Sequence, residues 1–135
     1  MRKYLAALVV AIAACSSVND LTYVFQADVR PLSAAPAQVV VDSARTPVAG
    51  VVVVGGGVVT PCWNDVVRLD GSKSGLNLDV QIEWTLQQPC TDVRTRHHSY
   101  LGVFSQLRPA TYHVRVVDAT GAAPAVRVDS SLVVR

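Results

Sequence analysis

Carboxylates able to work as a catalytic pair are scarce in this 135-residue chain: Glu83 is the only glutamate, and the remaining acids are dispersed aspartates. Cleaving a glycosidic bond takes two carboxyl groups flanking it, and no spacing here sets up that pair. The G-x-S-x-G elbow of one large hydrolase class is missing. Three histidines are present. His97 and His98 are neighbours, so on a strand they point to opposite faces, whereas zinc needs three or four convergent ligands. The nearby acids are Asp92 and Asp118. No metal site is expected, and the histidines read as solvated surface residues. An enzyme reading requires His97, His98 or His113 to meet an aspartate in a cleft. Gly55-Gly56-Gly57 is followed by Val58-Val59-Thr60-Pro61, which cannot promptly supply the helix N-terminus that a phosphate cradle needs. The triplet therefore reads as a bulge or flexible turn. Gly71-Ser72-Lys73-Ser74-Gly75 lacks the G-K-[ST] order of a nucleotide loop and reads as a hairpin turn. No cofactor is implied.

A membrane-crossing run is absent too. The apolar stretch Tyr4 to Cys15 spans 12 residues and Ser16, Ser17, Asn19 and Asp20 follow at once, whereas a bilayer-crossing helix needs about 20. What the stretch has is a cationic start (Arg2, Lys3), an apolar core (Leu5 to Ala11) and small residues before a cysteine, the parts of an export leader. Ile12-Ala13-Ala14-Cys15 resembles the processing box of bacterial lipoprotein signal peptides: an aliphatic residue, two small residues and a cysteine. The resemblance implies that residues 1–14 are a helical signal peptide and that Cys15 is the lipid attachment site. Its sulfur would take a diacylglyceryl group and its freed amine a third acyl chain. One chain gives marginal membrane binding at about 0.8 kcal/mol per buried CH2, and two or more anchor stably. Ser16 in place of Asp after the cysteine implies, by enterobacteria-like sorting, the outer rather than the inner membrane. The alternative is an ordinary secretory peptide cut after Ala13, because Ala11-Ile12-Ala13 fits the small-x-small rule.

The formal charge of +2 belongs to the leader, which holds Arg2 and Lys3 and no acid; the remainder carries ten basic and ten acidic residues. Gripping a nucleic-acid backbone takes clustered surplus cations, so no nucleic-acid partner is expected. With Cys15 assigned to lipid, Cys62 and Cys90 remain as an even pair. In an oxidising compartment such a pair reads as a disulfide. A metal or redox pair is the rival, without a C-x-x-C or a nearby ligand set.

Half the residues are hydrophobic and valine is abundant, which leans toward strands. Leu76, Leu78, Val80, Ile82, Trp84 and Leu86 alternate with polar residues, the period of a strand with one wet face. Pairing Leu69 with Leu76 across the turn 70–75 would put Val67 opposite Leu78. Further strands are expected at Gln38–Ala44, Val48–Val54 resuming at Val58-Val59, Cys62–Leu69, Tyr100–Gln106, Thr111–Asp118 and Ala125–Val134. Leu21–Val29 is a first strand or part of a tether, followed by the Ala/Pro/Ser-rich Pro31–Ala37. The organisation reads as leader 1–14, tether and possible first strand 15–37, and β-sandwich 38–135. About seven short strands argue for an antiparallel β-sandwich. Leu107-Arg108-Pro109-Ala110-Thr111-Tyr112-His113-Val114-Arg115-Val116 resembles the L-x-P-x-T-x-Y-x-V-x-V stretch of fibronectin type III domains, one residue short between Thr and Tyr. The resemblance implies an immunoglobulin-like or fibronectin type III-like sandwich, with the Tyr112 hydroxyl bonded to nearby backbone. Carboxypeptidase-regulatory and transthyretin-like sandwiches fit the same pattern.

These readings point to a non-enzymatic, lipid-anchored envelope protein acting as a structural or protein-interaction module. Its partners are then the membrane, through the N-terminal lipid, and a protein or envelope polymer. Arg94, Arg96, His97 and His98 form a basic cluster suited to anionic headgroups, polyanionic sugars or an acidic partner, or else a wet loop. The alternative is a carbohydrate- or small-ligand-binding module using Trp63 or Tyr100 on an exposed face. Trp84 reads as core, and Trp63 as a shield for the neighbouring disulfide.

Overall fold

The computed structural model describes residues 22–38, 40–85, 89–119 and 123–135. The leader, Cys15, Leu21, Leu86, Gln87 and the Thr120-Gly121 turn position lie outside them. Eight strands are present among the described residues: β1 Val24–Pro31, β2 Ser43–Arg45, β3 Val52–Thr60, β4 Val66–Ser74, β5 Asn77–Thr85, β6 Arg96–Ser105, β7 Ala110–Asp118 and β8 Ala125–Val134. They form two four-stranded sheets, ordered β1-β6-β3-β2 and β4-β5-β7-β8. The architecture is an all-β sandwich, and the described residues include no helix.

Strand chemistry explains the core. β-branched valine is stiff at χ1 and suits a pleated surface. Alternate residues of each strand turn inward: Val52, Val54 and Val58 from β3, Phe104 from β6, Leu78, Val80 and Ile82 from β5, and Val114 and Val116 from β7 are 0–2% exposed. Phe25 of β1 reaches across to lie over Gly71 of β4 and Gly102 of β6, where a Cβ would collide with its ring. β1 is thus a full edge strand of the first sheet, paired from Val24↔Ser105 to Pro31↔His98, and the sandwich starts well before Gln38.

Four expectations change. Gly55-Gly56-Gly57 is no bulge or turn; all three run inside β3 and pair with Leu101, Tyr100 and Ser99 of β6. The β4–β5 hairpin turns at Gly75-Leu76, with Ser74↔Asn77 and Leu69↔Ile82, so Val67 meets Trp84 rather than Leu78. Gly75 has φ 58°, as the first central position of a type II′ turn requires. Because the expected register differs by an even number of residues, every side chain keeps its face. Gln38–Ala44 yields only the short β2. Finally, β5 and β7 pair parallel, Asn77↔His113 to Ile82↔Asp118. The cause is topological: the chain leaves β5 for β6 in the other sheet, then returns, so β7 arrives running in the direction of β5.

The sandwich has two distinct ends. At the turn end β1, β3 and β7 begin, β6 and β8 finish, and the Gly75-Leu76 hairpin turns; Leu107 N donates to Gly50 O and Gly50 N to Arg135 O there. At the opposite, stapled end the chain crosses between sheets twice, from β3 to β4 and from β5 to β6.

Candidate functional site

The stapled end gathers the residues with chemistry. Cys62, in the β3–β4 crossover, is disulfide-bonded to Cys90, in the β5–β6 crossover, with Cα atoms 6.0 Å apart. The β3–β4 crossover is braced by Asp65, whose Oδ2 accepts from Cys62 N at 3.1 Å and whose own N donates to Cys62 O. Trp63 N donates to Asp92 O at 3.0 Å, tying the two crossovers a second time.

Trp63 is half-buried. The guanidinium carbons of Arg94 and Arg96 stand 4.6 and 4.7 Å from its ring centroid, cation–π contacts worth roughly 0.5–1 kcal/mol each at exposed sites. Arg96 Nη1 also donates to Trp63 O, while its buried Nε has no partner. Arg94 is exposed and holds Asp92 through Nη2 at 2.6 Å and Nε at 2.9 Å. That hydrogen bonding keeps the Asp92 carboxyl down at about 2. The ring therefore lies under two arginines rather than open to a sugar.

The basic cluster splits: Arg94 and Arg96 meet over Trp63, and the histidines do not join them. His98 is 5% exposed and points into the sandwich, not to solvent. Burial, then the nearby Arg96 charge, lowers its pKa. His97 sits on the outer face. His113 lies on β7 and pairs with Asp129 of β8. His113 thus stands apart from His97 and His98, and no group of three metal-ligating side chains occurs among the described residues. Tyr100 is 3% exposed and offers no open face.

Sequence reasoning missed the most elaborate polar feature, a clasp between the sheets. Tyr100 Oη donates to Asp42 Oδ1 at 2.6 Å. Arg127 of β8 donates through Nη2 to Asp118 at 2.7 Å, and through Nη1 to Gly57 O at 2.8 Å and Asp42 at 3.3 Å. Burial, then the hydrogen bond with Asp42, raises the Tyr100 pKa. Burial would lower the Arg127 pKa, but the bond to Asp118 and the charges of Asp42 and Asp118 reverse it. Gly56 leaves the space: a Cβ there would collide with Asp42 and Tyr100. The available signal was phase, since position 56 falls among the inward positions 52, 54 and 58.

Tyr112 Oη donates to Arg108 O at 3.1 Å, across the passage from one sheet to the other. The fold and this end define a small β-sandwich with disulfide-bridged crossovers. Comparison with protein families, characterised proteins and solved structures finds no match to the chain.

Proposed function

We propose that the protein is a lipid-anchored module of the bacterial envelope, held to the membrane through Cys15 and acting without catalysis as a structural or protein-interaction domain. The observation that carries this reading is the Cys62–Cys90 bridge. A disulfide joining two crossovers belongs to an oxidising compartment, which is where a leader ending in Ile12-Ala13-Ala14-Cys15 delivers a chain. The outer membrane is the destination favoured by Ser16. The Tyr112–Arg108 bond supports kinship with fibronectin type III-like sandwiches, and the parallel β5–β7 pair sets this chain apart from their all-antiparallel sheets. The displayed partner surface is the Arg94–Trp63–Arg96 stack, because aromatic and arginine side chains are the groups interfaces favour. The carbohydrate reading loses its platforms, Tyr100 to the core and Trp63 to its arginines.

The anchor is tested by mass spectrometry of the mature amino terminus and by fractionation. Cys15→Ser is expected to move the protein from membrane to soluble fractions. An unmodified cysteine, or membrane retention of the variant, would count against the reading.

A further inference from the structure

One cation at the stapled end has no carboxylate of its own. Arg96 opens β6 and is half-buried. Its guanidinium is held in place twice, over the Trp63 ring at 4.7 Å and by the bond from Nη1 to Trp63 O at 3.1 Å. Its Nε is buried without an acceptor, and no carboxylate pairs with it among the described residues. The acids of the two crossovers are engaged elsewhere: Asp92 holds Arg94, and Asp65 accepts from Cys62 N. A half-buried charge without a counterion is costly. A guanidinium already fixed in position loses little side-chain freedom when it takes one. Arg96 is therefore set up to receive an anion.

Its neighbour shows which anion fits. Arg94 stands over the same ring at 4.6 Å and takes the Asp92 carboxylate in a fork, Nε to Oδ1 at 2.9 Å and Nη2 to Oδ2 at 2.6 Å. Such forks match the plane of a carboxylate. The surroundings favour a protein as its carrier. Val93, next to Arg94, is 80% exposed, and Val66, three residues after Trp63, is 56% exposed. Aliphatic side chains standing clear of the surface near an aromatic ring and two arginines have the composition of a protein interface. A hydrated polyanion gives valine nothing to pack against.

We propose that the Arg94–Trp63–Arg96 stack receives an acidic, partly apolar segment of a partner protein. One carboxylate of that segment lands on Arg96, and Val93 and Val66 pack against the apolar side chains beside it. This rests on the reading of the stack as the displayed partner surface. Asp92 is then the in-chain competitor, occupying Arg94 and leaving Arg96 to the partner.

The full chain is titrated against a labelled synthetic peptide alternating glutamate with leucine, read by fluorescence anisotropy. Saturable binding that weakens with salt is expected. The same peptide with glutamine for glutamate should bind about tenfold more weakly, a control that leaves the protein intact. Arg96→Gln should lose about as much. Asp92→Asn should bind about threefold more tightly, a gain that damage to the fold would not produce. If the glutamine peptide binds as well as the glutamate peptide, or Arg96→Gln binds like the native chain, the carboxylate site is overturned. Tighter binding of polygalacturonate or polyphosphate than of the peptide overturns the protein partner in favour of a sugar or phosphate polymer. A photoreactive residue in place of Val93, in the cells that make the protein, separates the site from the broader reading. A cross-link to a protein without peptide binding overturns the carboxylate site and leaves the partner surface standing; the absence of both overturns both.

Discussion

Gly56 shows how one missing methyl group can decide an interior. Its absent Cβ leaves room for the bond between Asp42 and Tyr100, so Gly56→Ala overpacks the clasp. It is expected to cost about 1–3 kcal/mol, read as a lower urea midpoint with unchanged slope. Gly55 makes the control: the nearest atom to a Cβ there is 3.4 Å away, and Gly55→Ala should leave the midpoint almost unmoved. His98 carries a pH dependence of known sign. Its folded pKa lies below the ordinary 6.5, so the unfolded chain binds more protons in the window beneath that value. Stability therefore rises with pH there, is complete above about 6.5 and is lost as the solution is acidified. Arg96 and Asp65 are the charged groups acting on the ring. Comparing denaturation midpoints at pH 5 and 7 checks this, and His98→Leu should reduce the difference. Neither residue was legible as an interior group beforehand. A histidine is polar, and a glycine carries no hydropathy signal, so only the phase of their strands revealed where they point.

Strands with unbroken alternation were readable, and those depending on partners were not. β5 and β8 were visible because period-two patterning and turn residues are local properties. β3 was read as interrupted, since three glycines have poor strand propensity; pairing with β6 overrides that. The β4–β5 turn was misplaced because Asp70 and Gly71 imitate turn chemistry, whereas Gly71 is needed to seat Phe25. The parallel β5–β7 pair has no local signature, as it arises from two sheet crossings. At this scale the disulfide is the device to remove. Its cysteines are 28 positions apart, and chain-entropy estimates for such a loop give about 3.5 kcal/mol. The double variant Cys62→Ser, Cys90→Ser should show a loss of that size in chemical denaturation. A change below about 1 kcal/mol would mean that Trp63, Asp92 and Arg96 already hold the crossovers.

The molecule as a whole is neutral once residues 1–14 are set aside, and its two ends are built differently. One end is bridged covalently; the other holds the β4–β5 hairpin tip and the start of β1. The pairing of β1 has a further consequence. Among the described residues its only in-sheet neighbour is β6, which the ribosome makes some seventy residues later and which also lies between β1 and β3. As the chain is made from its amino terminus, β1 has no partner strand until Ser105 has emerged. For that interval valine-rich edges stand open, the condition in which chains aggregate. Orderly folding of this chain thus depends on the late arrival of one central strand.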